Sequence, residues 1–160
     1  MIKPLSMRGH EAVVLLVEDN EDHVFLTRAS FEEAKLQVNM QHVDDGVKCM
    51  AFLRKQPPYE NAPTPDLILL DIHMPRMDGY EVLATIVKDE ALRRLPVIVL
   101  TTSSAAVDID RMYHLRCSSY ITKPLDFESF TKAVAQLAGY WLNLVVVPHR
   151  DGQPAASRND

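Results

Sequence analysis

A chain of 160 residues, 47% of them hydrophobic and with a formal net charge of −5, has the size of one ordinary domain around a buried apolar core. These figures exclude a disordered polar tail, and the acidic balance argues against a nucleic-acid surface, which needs clustered Lys and Arg to track phosphates. Two cysteines, Cys49 and Cys117, are too few for a disulfide framework, and neither has neighbours at metal-binding spacing.

The opening "MIKPLSMRGHEA" has no apolar stretch ahead of a small-residue cleavage site, and no run approaches the ~20 apolar residues that span a bilayer. The expectation is a soluble, cytoplasmic protein with no membrane partner. Residues 1–11 are expected to form a flexible N-terminal segment ahead of one domain over 12–142. The first element is the aliphatic run "AVVLLV" (12–17), followed by Glu18, Asp19 and a helix over 21–35. "QVNMQHV" (37–43) is half polar and reads as an edge strand, with a helix over 46–55 after it. The proline-rich link "KQPPYENAPTPD" (55–66) leads to "LILL" (67–70), which ends in Asp71, a turn containing Pro75, and a helix from Gly79 to 90. "VIVL" (97–100) ends in Thr101 and Thr102 and precedes a helix over 105–116. A second half-polar strand, "SSYIT" (118–122), ends in Lys123, and the last helix covers 126–142 with Asp126 as its N-cap. In that helix Phe127, Phe130, Val134, Leu137 and Trp141 step by three and four along one face. Residues 143–160 form a C-terminal extension: the apolar strip "WLNLVVVP" (141–148), whose valines suit extended chain, gives way to polar sequence expected to be disordered.

Continuous aliphatic runs suit strands covered on both faces, and strands alternating with helices predict an α/β fold with a parallel sheet. With the two half-polar strands at the edges, the sheet is doubly wound and five-stranded, in order 2-1-3-4-5, the flavodoxin-like arrangement. Its ligand crevice lies at the carboxyl ends of the first and third strands.

Those ends carry chemistry. Glu18, Asp19 and Asp71 bring three carboxylates to one rim, Thr101 and Thr102 bring hydroxyls, and Lys123 brings an ammonium. Three carboxylates at close range raise each other's pKa unless a cation joins them, and Mg²⁺, with Mn²⁺ as a substitute, is the natural partner for oxygen ligands. Asp71 can then remain an anionic nucleophile toward a phosphoryl group. The metal, Lys123 and the Thr101 hydroxyl would each meet one equatorial oxygen.

Taken alone, each of these residues has a plainer reading. Glu18-Asp19-Asn20 would be a helix N-cap with acids at the positive dipole end. Asp71 would be a solvated turn, Thr101 a β-branched strand residue and Lys123 a surface charge. One phospho-receiving site accounts for all of them together. His10, His23, His42, His114 and His149 are scattered, and none reads as a metal ligand; the methionines read as core filler.

The ordered set "LLVEDNED", "LILLDIHMPRMDG", "PVIVLTTS" and "YITKP" resembles the receiver domain of bacterial two-component response regulators, over roughly residues 12–140. The resemblance implies Asp71 as phospho-acceptor, Glu18 and Asp19 as the acidic pair, Thr101 as switch hydroxyl and Lys123 as the phosphate-facing lysine. It further implies that the His73 backbone carbonyl completes the metal shell, that Tyr120 changes rotamer, and that a cis peptide precedes Pro124. Glu18 stands where Asp is commoner, which implies a water-mediated metal contact. The proline-rich link, the "ALRRLPVIVLTTSSA" run and the ending "YWLNLVVVP" are similar to the single-domain regulators paired with bacterial phytochrome histidine kinases.

The implied function is transfer of a phosphoryl group from a sensor histidine kinase, a bacteriophytochrome, onto Asp71. Signalling follows by conformational change with no attached output domain, and not by enzymatic turnover beyond slow self-dephosphorylation. A phosphorelay intermediate or phosphate sink is the alternative. An aspartyl-nucleophile phosphatase is disfavoured because it needs a second acid where His73 stands. A flavodoxin-like cofactor binder is disfavoured because "EDNED" would repel a phosphate. A DNA-binding tail is too short for a helix-turn-helix and too poor in basic residues. A homodimer is expected through the face of the fourth helix, fifth strand and fifth helix, with the apolar tail beside it.

Overall fold

The computed structural model describes residues 11–144. Most of the expected N-terminal segment, and the extension from Val145 onward with its three valines, lie outside the described residues.

Five strands and five helices alternate: β1 (Ala12–Val17), α1 (Glu21–Glu33), β2 (Val38–Val43), α2 (Gly46–Leu53), β3 (Leu67–Leu70), α3 (Gly79–Lys88), β4 (Val97–Thr101), α4 (Ala106–His114), β5 (Ser119–Thr122) and α5 (Phe127–Gly139). The sheet is parallel throughout and runs β2-β1-β3-β4-β5. The doubly wound order expected from the edge character of β2 and β5 is the one observed.

The central strands are buried along their length because successive side chains feed two different cores. Leu15, Val17, Ile68, Leu70, Val97 and Val99 pack on one side against α2, α3 and α4, through Phe52, Leu83, Ile86 and Met112. Val14, Leu16, Leu67, Leu69, Ile98 and Leu100 pack on the other against α1 and α5, through Phe31, Phe130, Val134 and Leu137. An uninterrupted aliphatic strand therefore satisfies both faces at once.

Four helices start from a side chain that accepts a backbone N–H: Asn20 from His23, Asp45 from Lys48, Asp78 from Glu81 and Asp126 from Ser129. All four stand on the rim where strands end and helices begin, so the same turns that cap the helices frame the crevice. The fourth helix differs, since its N-cap is Ala105 and supplies no side-chain bond.

One sequence expectation is corrected at the end of α5. The last helix was expected to end at 142, yet Tyr140–Leu144 continues it as a π-helical turn, and the three valines expected to be extended lie outside the described residues. The reason is burial: Leu142 enters the same core as Leu137, five residues earlier, and a turn closed from i to i+5 keeps the two on one face.

Candidate functional site

Each strand that feeds the rim is pinned one residue past its regular ladder. The Glu18 amide donates to the Val43 carbonyl at 3.1 Å, the Asp71 amide to Val17 at 3.0 Å, and the Lys123 amide to Thr101 at 2.7 Å. His42 adds a contact from β2, its Nε2 lying 2.7 Å from the Glu18 carbonyl oxygen. On the far side of Asp71, the start of α3 presses in. A Cβ on Gly79 would collide with the Asp71 carbonyl oxygen and the Ile72 Cα, so only glycine lets the helix begin this close.

The side chains converge on an ammonium. Lys123 Nζ bonds the Glu18 carboxylate, lies 2.9 Å from His23 Nδ1 and 3.5 Å from Asp71 Oδ2. The Glu18 and Lys123 side chains are 2% and 4% exposed, and that of Asp71 only 12%, so water screens these charges little. Buried ions persist only when paired and hydrogen-bonded, and the arrangement meets that condition. Asp71 also takes the Ile72 amide on Oδ1 at 2.7 Å, and the Thr101 side chain at the end of β4 is buried.

The two carboxyl groups are driven apart. Burial works to raise Asp71, but the hydrogen bond shared with Glu18, the Lys123 ammonium, the Thr101 hydroxyl and the Ile72 amide outweigh it, holding Asp71 below the ordinary carboxylate range. Burial, then the hydrogen bond and repulsion from Asp71, push Glu18 up to about 7 against the pull of Lys123. Within this coupled pair the surroundings favour the charged form of Asp71 over that of Glu18. His23 is lowered, by burial and then by the Lys123 charge, so its ring is a neutral imidazole.

The remaining expected site residues are placed less uniformly. Asp19 is exposed and lines an open depression with Asp44, Asp45, Lys48, Pro75 and Arg76. His73 and Thr102 are exposed. Tyr120 is half-buried, with its hydroxyl donating to the Ser103 carbonyl at 2.8 Å. The expectation for Pro124 is corrected: the cis peptide among the described residues is Pro57–Pro58, so the bond before Pro124 is trans. An X-Pro bond differs little in energy between isomers, and a proline alone does not decide it.

The sequence reading also left His23 out. As the third residue after Asn20 it sits in the first turn of α1, where that cap turns its ring back over the strand end. The signal was its spacing from the cap. Two further groups were unmarked. Asp108, in the first turn of α4, accepts from Tyr80 and from Ser103, and Arg111 lies 3.8 Å over the Tyr80 ring. Arg76, at φ 64°, directs Nη2 to Asp45 at 2.6 Å, tying the loop after Asp71 to the cap of α2.

The donor set fits a divalent cation. Glu18, His23 and Asp71 each offer a ligand atom, and the three atoms lie within 4.8 Å of one another. Two facing carboxylates with an ammonium between them already show that the pocket calls for positive charge.

The model of the response regulator receiver domain matches residues 14–135. Response regulator Rcp1 of Synechocystis sp. is 39% identical over 136 residues, 85% of this chain and 92% of that protein. Among solved structures, the phosphorylated cyanobacterial phytochrome response regulator RcpA superposes with a TM-score of 0.84 at 37% identity, covering 88% of this chain and 100% of the other. The Mn²⁺-bound form of Rcp1 gives 0.81 at 38% identity, covering 86% and 99%. With the sheet order, the paired carboxylates and the buried lysine all in register, this chain belongs to the response regulator receiver domain family and is a phospho-accepting signalling domain with a divalent-cation site.

Proposed function

We propose that Asp71 is the phospho-acceptor and that its donor is the phosphohistidine of a phytochrome-type sensor histidine kinase in the cytoplasm. The observation that carries the first half is the placement of the Asp71 carboxylate, with Lys123 Nζ 3.5 Å from Oδ2 and the Ile72 amide 2.7 Å from Oδ1. What supports the second half is the kinship with regulators described as phytochrome response regulators.

An oxygen of Asp71 attacks phosphorus, the P–N bond of the phosphohistidine breaks, and its electron pair returns to the imidazole, which takes up a proton. Lys123 and Thr101 stand ready to meet the charge on two phosphoryl oxygens, the lysine as an ion pair and the threonine as a donor. A divalent ion, held by Glu18, Asp19, Asp71 and the His73 carbonyl, would neutralise the third. Burial of Lys123 and Glu18 keeps bulk water away from the lysine side of the carboxylate.

The response then passes through β4. Thr101 Oγ1 accepts the Ser103 amide at 3.4 Å, a long bond that is readily given up. Drawing Thr101 toward a phosphoryl group releases that amide, and Tyr120, bonded to the Ser103 carbonyl, follows the loop.

Acetyl phosphate with Mg²⁺ is expected to add one phosphoryl mass to the wild-type protein and none to Asp71→Asn, as read by intact-mass spectrometry. Equal labelling of both proteins would remove Asp71 from the role. Chelation of the metal is expected to stop labelling.

A further inference from the structure

Among the described residues, Lys35, Lys55, Arg76 and Arg116 have a positive φ without being glycine. Three of them directly follow the C-caps of α1, α2 and α4, at Ala34, Arg54 and Leu115, where a left-handed residue is the ordinary way to end a helix. Arg76, at φ 64°, stands instead in the loop between Asp71 and α3, where no helix end calls for it. A strained residue in such a place persists because its surroundings hold it, and such residues gather at functional sites.

The hold on Arg76 comes from α2. Its Nε and Nη2 both donate to Asp45 Oδ2, at 3.0 and 2.6 Å. Asp45 is 4% exposed, and its other oxygen accepts the Lys48 amide at 2.7 Å as the cap of α2. Burial works to raise that carboxyl, but the Lys48 amide and Arg76 outweigh it and hold it below its ordinary range. One residue on, the Gly46 amide donates to the Met77 carbonyl at 3.1 Å, and a Cβ on Gly46 would collide with that oxygen. At the base of the loop the Gly79 amide returns to the Ile72 carbonyl at 2.8 Å. The loop is therefore closed at its base and tied to α2 at its tip, with His73 between the two.

We propose that Arg76 and Asp45 are positioning residues for the phosphoryl site, one tie that fixes the 72–77 loop so that the His73 carbonyl is set for the divalent ion in advance. This rests on the reading of Asp71 and the His73 carbonyl as parts of a divalent-cation pocket. Arg76 and Asp45 act through the backbone between them and the pocket, not as ligands. A loop already ordered costs less to order on binding, so the tie shows itself as metal affinity. Action through charge alone would look different. A cation at the rim opposes a divalent ion and an anion favours it, so loss of Arg76 would then tighten binding and loss of Asp45 weaken it. Positioning requires both losses to weaken it.

The experiment compares wild type, Arg76→Gly, Asp45→Asn and the double variant by calorimetric titration with Mg²⁺ and by urea denaturation. Glycine relieves the left-handed backbone, and asparagine still caps α2, so both single variants are expected to unfold at nearly the wild-type urea concentration. Mg²⁺ affinity is expected to fall roughly fivefold in each, and no further in the double variant, because both changes cut the same tie. Acetyl phosphate labelling is expected to need correspondingly more Mg²⁺ and to reach the wild-type rate at saturation. Tighter Mg²⁺ binding in Arg76→Gly, or wild-type affinity in both single variants, would overturn the proposal while leaving the pocket standing. A wild type that binds no Mg²⁺ would overturn the pocket itself, and the proposal with it.

Discussion

Glu18 and Asp71 are chemically similar acids at the same depth of the same rim, and their surroundings give them opposite states. Asp71 collects an amide, a hydroxyl and an ammonium, all of which favour its charge; Glu18 collects burial and a negative neighbour, which favour its proton. That division depends on where the Asp71 backbone sits, which in turn depends on Gly79. An alanine in a helix normally gains up to ~1 kcal/mol over glycine. Here its methyl would meet the Asp71 carbonyl and Ile72 Cα, both backbone, and overpacking of that kind costs about 1–3 kcal/mol. Gly79→Ala is therefore expected to be destabilised on balance by about 1 kcal/mol in urea denaturation, with slower phosphorylation of Asp71, because strain outweighs helix propensity. Stabilisation by the substitution would show that the loop yields without cost.

Among the elements, α4 is the one whose start is held from outside itself. Its cap residue, Ala105, offers no side chain, and Ser103 substitutes: its hydroxyl donates to Asp108 and accepts the Ala105 amide at 3.3 Å. The Ser103 amide reaches back to Thr101, and Tyr80 of α3 holds the other oxygen of Asp108. The N-terminus of α4 is thus fastened to buried Thr101 at the carboxyl rim of the sheet. Ser103→Ala is expected to speed hydrogen exchange in the first turn of α4 roughly fivefold, the range expected for loss of a helix-start hydrogen bond, while α1 and α5 exchange as before. Unchanged exchange in α4 would place its anchorage with Tyr80 and Arg111 instead.

For the molecule as a whole, the question is what covers the apolar groups that remain outside. Val107 and Tyr113 on α4, and Tyr140 at the end of α5, are 71%, 51% and 56% exposed. Neighbouring apolar groups left in water favour association, and two-fold pairing is the commonest closed form. We infer a homodimer through the α4, β5 and α5 face. Sedimentation at micromolar concentration is expected to show a dimer for the full chain and a monomer for Val107→Glu. Removing the residues after Leu144 separates the contribution of the tail; an earlier cut would also strip buried Leu142 from the core. A wild-type monomer under these conditions would sink the proposal.

What the linear chain determined by itself was whatever depends on short-range order. Aliphatic runs at 12–17, 67–70 and 97–100 became strands because a segment apolar on both faces can be satisfied only between two helical layers. A polar or charged residue directly after each run lands at the carboxyl rim, so Glu18, Asp71, Thr101 and Lys123 were legible as one site, and the caps at Asn20 and Asp126 were legible from their position before helical stripes. The tertiary structure alone decided everything that turns on direction and distance. It buried Glu18 and left Asp19, adjacent in sequence, exposed at the edge of an open depression. It brought His23 against Lys123, one hundred residues away, and linked Asp108 to Tyr80 across two helices. It also carried α5 on through Leu144, because burial of Leu142 outweighs the local preference of the strip. Such long-range pairings leave no periodic trace in the sequence, since the energy that selects them arises only when separate segments meet in a place where water is excluded.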